Sequence, residues 1–416
     1  MRIYFSGIGG VGIGPLAQIA IDAGYDVIGS DTGESLMTKE LTTRGVEISY
    51  DQSGAFMRAE HAKQPIDWFV HTAALTPEHP ELMLAAELQV RIAKRDELLA
   101  HIIQEKNLKL LAVAGTHGKT NTTGMLVWAL KQQGIPASYS VGTTLQWGPS
   151  GTYVPGSEYF VYECDEFDRN MLHFSPHASI ITSLDYDHPD TYTSQAEYAE
   201  AFRQFVRQSK QTIMWQTDAD YIELRAENSW ALQANEVAAV ALAGEHTRRN
   251  ATLVLKLLEY LNVGNTDANR AILDTFPGTS RRFEQLAPNL YSDYGHHPEE
   301  IAATLQMARE LCKHVVLVYQ PHQNVRQYEV RDQYTNDVFS NCEEVYWLPT
   351  YLSREDAKQA VLEPKELTKK ITTPPITYST LGDELWSHIK IELHKGHLVV
   401  CMGAGSIDSW LREQLT

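Results

Sequence analysis

The sequence is short of cysteine and of long apolar runs. Its four cysteines, Cys164, Cys312, Cys342 and Cys401, are scattered without CxxC or Cys/His spacing, which argues against a disulfide framework and a cysteine-based zinc site. No stretch approaches the roughly 20 apolar residues of a membrane span, and no cleavable signal pattern precedes the first strand-like segment. We therefore expect a cytoplasmic protein with reduced thiols and no membrane partner.

Positive charge is also scarce. The 416 residues carry 35 Lys plus Arg against 53 Asp plus Glu, a formal charge of −18. Such a chain repels nucleic acid and anionic membranes, so small molecules are the expected partners, and an anionic ligand needs a local cation. The length suggests two or three domains.

Short apolar runs alternate with longer amphipathic stretches along the chain. This pattern is typical of parallel sheets covered by crossover helices, so the predicted fold class is α/β. Boundaries near residues 107 and 276 give predicted domains 1–107, 108–276 and 277–416, and a long helix is predicted over 194–208. The spacing of the first strand series suits a Rossmann-like unit. The predicted strands are 2–6, 25–29, 46–49, 67–71, 90–92, 108–114, 159–163, 178–183, 314–319, 344–348 and 397–402.

The first candidate site is a glycine loop between a predicted strand and a predicted helix. Its amides and the helix N-terminus could receive a diphosphate. Asp31 ends the next predicted strand, about where an acidic side chain meets a ribose hydroxyl in dinucleotide sites. Alone, this pair suggests NAD; a tight turn that only lets a helix pack on a sheet is the alternative. The glycines are Gly7, Gly9, Gly10 and Gly12.

A second glycine loop is more specific, because it joins an apolar strand to a helix as a P-loop does. Its glycines let amides approach phosphate oxygens, Lys119 supplies a charge at the β and γ phosphates, and the Thr120 hydroxyl suits a magnesium ion. Val113 stands where the usual template has its first glycine, so the loop is a variant. It predicts ATP and Mg²⁺, against the alternative of a similar loop without a nucleotide. The loop residues are Gly115, Thr116, His117, Gly118, Lys119 and Thr120.

Acidic residues follow two later predicted strands of the same domain. Glu163 and His188 are the better metal-ligand candidates, whereas Asp165, Glu166 and Asp187 are expected to support them. A solvated loop or a helix cap is the alternative for any single carboxylate. The sequence therefore predicts a magnesium site where these strands end.

Polar residues of the third domain also end or follow apolar strands, where open α/β sheets place ligands. Arg282 follows a turn, residues 293–298 precede an amphipathic helix, and His322 and Arg326 follow a later strand. Neighbouring histidines at 296 and 297 cannot easily share one metal ion, so substrate contacts are predicted instead, with a plain surface loop as the alternative.

Taken together, these motifs resemble the Mur ligase family over nearly the whole chain. The resemblance implies an N-terminal Rossmann-like domain for a UDP-sugar, a central P-loop ATPase with a mostly parallel sheet, and a C-terminal Rossmann-like domain that receives an amino acid. The first glycine loop would then bind UDP rather than NAD. The matching segments are residues 7–12, 114–120, 163–166, 185–192, 278–284, 293–298, 320–322 and 403–405.

The same resemblance implies roles for individual residues. Lys119, Glu163 and His188 would be catalytic, and Thr120 would join Glu163 and His188 around Mg²⁺. The UDP-sugar would be bound by Gly7, Gly9, Gly10, Gly12, Asp31 and His71. ATP would be bound by the second glycine loop with His246, Asn250, Arg282 and Asp293, and the remaining substrate by His297, His322 and Arg326.

The implied reaction is ATP-dependent phosphorylation of a carboxylate, followed by attack of an amine on the acyl phosphate. Within the family, the closest likeness is to members that join L-alanine to UDP-N-acetylmuramate in peptidoglycan precursor synthesis. A murein-peptide ligase, an NAD-dependent oxidoreductase and a non-catalytic UDP-sugar-binding protein stay open. The general base, His188 or His322, and the choice between monomer and homodimer also stay open. No carbamoylated lysine is expected beside the metal, because no lysine lies between Lys131 and Lys210.

Overall fold

The chain forms three separate sheets, each flanked by helices, in a computed structural model that describes residues 1–72, 75–186, 191–353, 355 and 359–416. The α/β prediction is confirmed. Two compact units are present: Met1–Glu236 with Leu253–Leu273, and Val237–Thr252 with Asp274–Thr416. The three-domain division near residues 107 and 276 stays a prediction.

The first sheet has five parallel strands in the order β3-β2-β1-β4-β5. Its strand order reverses at β1, so the carboxyl ends of β1 and β4 flank a crevice of the kind that receives ligands. The strands are β1 (Arg2–Ser6), β2 (Asp26–Ser30), β3 (Glu47–Ser49), β4 (Trp68–His71) and β5 (Arg91–Lys94). The helices are α1 (Gly14–Asp22), α2 (Leu36–Thr43), α3 (Ala55–Lys63), α4 (Pro80–Glu87) and α5 (Arg95–Glu105).

The second sheet has seven strands in the order β12-β11-β10-β6-β9-β7-β8, and only the β7–β8 pair is antiparallel. The strands are β6 (Lys109–Ala114), β7 (Ala137–Ser140), β8 (Gly151–Thr152), β9 (Tyr159–Glu163), β10 (Ala178–Ile181), β11 (Thr212–Trp215) and β12 (Ser229–Leu232). The helices that follow are α6 (Lys119–Gln132), α7 (Gln195–Gln208), α8 (Gln216–Tyr221), α9 (Glu245–Tyr260) and α10 (Thr266–Asp274), with 3₁₀ helices over Phe167–His173 and Ala234–Glu236. Because β6 is central, the loop that follows it lies between the ends of β9 and β10.

The third sheet has six strands in the order β13-β14-β18-β15-β16-β17, and only the β13–β14 pair is antiparallel. The strands are β13 (Glu284–Ala287), β14 (Leu290–Asp293), β15 (Val315–Tyr319), β16 (Glu344–Trp347), β17 (Ile376–Tyr378) and β18 (Leu398–Met402). The helices are α11 (Pro298–Leu311), α12 (Asn324–Val330), α13 (Pro364–Leu367), α14 (Asp383–His394) and α15 (Ile407–Gln414).

The first two sheets share one hydrophobic core, which includes Phe5 of β1, Leu110 of β6 and Phe202 of α7. Ser194 caps α7 by accepting a hydrogen bond from the amide of Glu197 at 3.2 Å, which is why this helix begins where its sequence predicts. The four cysteines are free thiols. Among the described residues, no helix is long and apolar enough to cross a membrane.

Candidate active site

The strand, glycine loop and helix expected of a P-loop are present between β6 and α6. Gly115 has φ 124°, and a Cβ there would lie 2.5 Å from Thr182 Oγ1, so only glycine fits this close approach. Gly118 is left-handed, with φ 84°, and directly precedes α6. The first amides of α6 have no preceding helical carbonyl to bind and are available to an anion.

Lys119 opens α6 and lies buried against a carboxylate. Its Nζ donates to both oxygens of Glu166, at 2.9 and 2.7 Å, and to the carbonyl of Gly115 at 2.6 Å. Burial is the largest single influence and lowers the pKa of Lys119, but the hydrogen bond to Glu166 and the charges of Glu166, Asp165 and Glu163 together outweigh it. The pKa therefore lies above its usual value. Lys119 is therefore a fixed cation at the mouth of the loop.

Two of the three residues predicted to hold magnesium, Thr120 and Glu163, contact each other. The Thr120 hydroxyl donates to Glu163 Oε1 at 2.8 Å, and the Gly142 amide donates to Oε2 at 2.8 Å. A hydroxyl and a carboxylate, both oxygen donors beside a phosphate-binding loop, fit Mg²⁺ better than a softer metal. Asp187 and His188, which the sequence also pointed to, lie outside the described residues.

The end of β10 holds the other side of the loop. The Thr116 amide donates to the Ser183 carbonyl at 2.8 Å, and the His117 amide lies 3.1 Å from Ser183 Oγ. The Thr116 hydroxyl donates to the carbonyl of Asp185 at 2.9 Å. These contacts fix the loop backbone, and the ATP contacts predicted for Thr116 and His117 stay predictions.

The first glycine loop is held by Asp31. The Gly9 amide donates to Asp31 Oδ2 at 2.7 Å, and the Thr32 amide donates to Oδ1 at 2.7 Å. A Cβ on Gly9 would lie 2.7 Å from Ser35 Oγ, so this turn also needs glycine. His71 ends β4 beside Ser6 of β1, at the reversal of strand order. The ribose contact predicted for Asp31 stays a prediction, since the carboxylate already binds the turn.

Both glycine loops border one cavity of about 270 Å³. Gly12 and the first residues of α1 line one side, and Lys119, Gly142 and Glu163 line the other. A ligand that extends from the first loop therefore reaches Lys119 of the second loop and the Glu163 carboxylate at the end of β9 without leaving this cavity.

Arg95, at the start of α5, also lines this cavity and was missed by sequence reasoning. Its Nε and Nη2 donate to Asp96 at 3.2 to 3.4 Å, while Nη1 lies 3.1 Å from where a Cβ on Gly12 would be. Asp96 is held in turn by the Tyr162 hydroxyl. A signal was present in the sequence, because Arg95 lies three residues beyond the carboxyl end of the predicted strand 90–92.

In the second unit, Asp293 ends β14 and is buried. Its carboxylate accepts from the amides of Phe283 and Gly295, both at 2.7 Å. Burial raises the pKa of Asp293 to about 6, although Arg282 lowers it. Arg282 lies over the ring of Tyr294, 5.1 Å from its centroid. Asp293 therefore shapes the turn that carries Arg282.

Two histidines and an arginine gather beyond the ends of β14 and β15. His296 Nε2 lies 3.2 Å from Arg326 Nη1, and the rings of His296 and His322 are 5.6 Å apart. Burial lowers the pKa of His322 to about 4, with His296 and Arg326 acting in the same direction. His322 is thus neutral at pH 7. His322 and Arg326 thus both lie beside His296, and their predicted substrate contacts stay predictions.

The remaining predicted residues lie at helix starts. His297 is the N-cap of α11, and its amide donates to Glu300 at 3.1 Å. His246 and Asn250 lie in the first turns of α9, and burial lowers the pKa of His246 to about 4. Their contacts with ATP or substrate stay predictions.

Family profiles match most of the first unit. The profile of the Mur ligase family catalytic domain matches residues 2–107, and that of the Mur ligase middle domain matches residues 113–259. A UDP-N-acetylmuramate–L-alanine ligase of Clostridium novyi is 30% identical over 98% of this chain and 95% of its own length. The chain belongs to the Mur ligase family. The family resemblance found in the sequence is thereby confirmed.

Solved structures agree with this Mur ligase in fold. A UDP-N-acetylmuramate–alanine ligase of Thermotoga maritima superposes with a TM-score of 0.77 at 24% identity, covering 100% of this chain and 98% of its own. A murein peptide ligase of Psychrobacter arcticus gives a TM-score of 0.66 at 22% identity, with 100% and 98% coverage. At these identities, both comparisons bear on the fold alone.

Proposed function

We propose that this Mur ligase joins L-alanine to the carboxylate of UDP-N-acetylmuramate, using ATP and passing through an acyl phosphate. The observation that carries the proposal is the shared cavity, which borders both the first glycine loop and Lys119. A sugar nucleotide held by its diphosphate at the first loop would extend its carboxylate toward the phosphate-binding lysine. That arrangement suits phosphoryl transfer between two bound substrates.

The chain's own residues support the transfer step. A carboxylate oxygen attacks the γ-phosphorus, the bond from that phosphorus to the β-phosphate oxygen breaks, and ADP leaves. Lys119 and the first amides of α6 stabilise the negative charge on the moving phosphoryl group. Thr120 and Glu163 would hold Mg²⁺, which when bound neutralises phosphate charge.

Arg95 supplies the cation that the reacting carboxylate needs before its phosphorylation. Its guanidinium faces the cavity beside Gly12, with Nε and Nη2 held by Asp96. A guanidinium restrained in this way binds a carboxylate or phosphate oxygen with little further loss of side-chain freedom. We infer that Arg95 positions the sugar nucleotide relative to Lys119.

The second unit would bind the amino acid through His322 and Arg326. An arginine suits the alanine carboxylate, and a neutral imidazole accepts a hydrogen bond from the amine. With a pKa of about 4, His322 is a weak proton acceptor for an ammonium group. This favours a positioning role for His322 over that of general base. The amine then attacks the acyl carbon, and phosphate leaves.

The substrates are small, charged and water-soluble, so we propose a cytoplasmic enzyme with neither nucleic acid nor membrane as a partner. Monomer and homodimer both stay compatible with the proposal.

The decisive experiment incubates the purified chain with UDP-N-acetylmuramate, L-alanine, Mg²⁺ and ATP. Phosphate release and amide formation, followed by mass spectrometry, should rise in equal amounts and stop when any one substrate is omitted. No product with alanine, any other amino acid or a peptide would rule out the ligase reaction. Faster product formation with a murein peptide than with alanine would support the recycling reaction instead.

A second experiment tests whether the first loop binds the sugar nucleotide while the second loop supports phosphoryl transfer. Lys119→Ala should abolish phosphate release while leaving the affinity for UDP-N-acetylmuramate nearly unchanged, because the diphosphate is held by the first loop. Isothermal titration with the sugar nucleotide measures this affinity. Equal loss of binding and turnover would contradict the assignment of the two loops.

A further inference from the structure

Three potential metal ligands lie at the amino ends of neighbouring strands in the third sheet. His397 directly precedes β18, His314 directly precedes β15, and Glu343 directly precedes β16. These strands are adjacent in the order β18-β15-β16 and run parallel. The three side chains therefore gather at the edge of the sheet opposite to the one that carries His322.

The strand register accounts for their closeness. Val315 is paired with Leu398, so the residues before them, His314 and His397, lie side by side, and the Leu398 amide donates to the His314 carbonyl at 2.9 Å. Parallel neighbours at the same register share a face and lie about 4.8 Å apart. The two imidazole rings accordingly stack, with centroids 5.0 Å apart and an interplanar angle of 27°.

The donor atoms converge. One ligand atom each from His314, Glu343 and His397 lies within 4.8 Å of the others. His314 Nδ1 is 2.8 Å from Glu343 Oε1. Two ligands of one zinc ion, each about 2.0 to 2.1 Å from it, lie only slightly farther apart than this pair. The cluster thus needs little movement to surround an ion.

A second carboxylate orients His397. Glu392 Oε2 lies 2.7 Å from His397 Nδ1, and Lys395 Nζ donates to Glu392 Oε1 at 2.7 Å. Glu392 is buried, so its position is fixed by packing as well as by these bonds. A carboxylate behind one imidazole nitrogen is the usual support of a metal-binding histidine, and it leaves Nε2 for the ion.

We propose that His314, Glu343 and His397 form a binding site for a divalent transition metal of the Zn²⁺ type. Two imidazoles and one carboxylate match zinc, nickel or cobalt, whereas Mg²⁺ prefers oxygen ligands alone. Three protein ligands leave one position for water. By linking the starts of β15, β16 and β18, the ion would stabilise this sheet, independently of the proposed ligase reaction.

Arg309 competes with a metal ion for the Glu343 carboxylate, because its Nη1 lies 3.6 Å from Glu343 Oε1. A metal ion would replace this partner. Arg309→Met should therefore tighten metal binding, whereas a cluster that only forms ion pairs with Arg309 would gain no metal affinity.

The test uses the untagged full-length chain and Zn²⁺, with affinity measured by titration against a competing chelator. Wild type should bind one ion that is lost, or weakened at least about tenfold, in His314→Gln and His397→Gln. Glu392→Gln should weaken binding about 10- to 100-fold by releasing the His397 ring. His394→Gln is the matched control, because this exposed histidine on α14 bonds only to the Lys390 carbonyl among the described contacts.

Independent readouts separate coordination from background binding. Co²⁺ should give the visible absorption of a four-coordinate site in wild type and lose it in His397→Gln, and millimolar Mg²⁺ should not displace Zn²⁺. Circular dichroism of each metal-free variant checks that it is folded. Equal zinc stoichiometry and affinity in wild type and both histidine variants would overturn the proposal, as would no zinc binding by wild type.

Discussion

Replacing Lys119 with methionine should lower both activity and stability, and the size of the stability loss follows from the contacts of Lys119. Glu166 is 1% exposed and Lys119 is 15% exposed, and they meet at 2.7 Å. Methionine keeps the aliphatic stem but removes the cation that the buried Glu166 carboxylate contacts, a change that typically costs about 3–5 kcal/mol. Since Lys119 keeps some contact with water, we expect about 3 kcal/mol. Turnover should fall at least about 100-fold.

The partner variant separates charge from packing. Glu166→Gln leaves the lysine with the carbonyls of Gly115 and Thr116, at 2.6 and 3.2 Å, so its cost should be smaller, about 2 kcal/mol. The double variant removes both charges of the ion pair. Its loss should therefore be smaller than the sum of the single losses by about 2 kcal/mol, while its turnover stays as low as in Lys119→Met.

Urea denaturation followed by tryptophan fluorescence measures these losses, and phosphate release measures turnover. A free energy of unfolding for Lys119→Met within about 0.5 kcal/mol of the wild-type value would contradict this prediction. A stability loss in the double variant equal to the sum of the two single-variant losses would also contradict it, because the coupling energy between Lys119 and Glu166 would then be zero.

Three further predictions concern other parts of the chain. Arg95→Met should raise KM for the sugar nucleotide at least about tenfold and change KM for ATP much less. Arg58→Met, which removes an exposed ion pair between α3 and Glu87 of α4, should change neither KM. Asp293 has a folded pKa raised from 3.8 to about 6, so its contribution to stability is complete below about pH 4 and is lost as pH rises through 6. Relative to wild type, Asp293→Asn should therefore gain up to about 3 kcal/mol between pH 4 and pH 7.5 in urea denaturation, and a pH-independent difference would contradict the raised pKa. Gly9→Ala would bring a Cβ to 2.7 Å from side chains at the start of α2 and should lower stability by about 1–3 kcal/mol, whereas Gly33→Ala meets nothing within 4 Å and should be neutral in the same denaturation assay.

Local pattern predicted the elements that carry the site. Strands 2–6 and 159–163 have the bounds that their apolar runs predict, and every other predicted strand begins and ends within two residues of its prediction. The P-loop was also predictable, because its residues are consecutive in the chain. Short or partly polar strands escaped prediction, among them β8 with two residues and β13, whose sequence is Glu-Gln-Leu-Ala. Their hydrogen bonds come from a neighbouring strand, so their own side chains carry little signal.

The sequence by itself determined the α/β class, the two glycine loops and the family, because each depends on residue types at fixed local spacing. Only the tertiary structure decided which charges meet. Lys119 pairs with Glu166 rather than Glu163, Asp31 closes the turn at Gly9, and Arg95 faces the cavity between the two loops. Gly9 and Asp31 are 22 residues apart in the sequence, and Lys119 and Glu166 are 47 residues apart. Sheet order and register bring the members of each pair together. The spacing of residues along the chain does not specify strand order or register, so only the tertiary structure shows which charges of the site are paired.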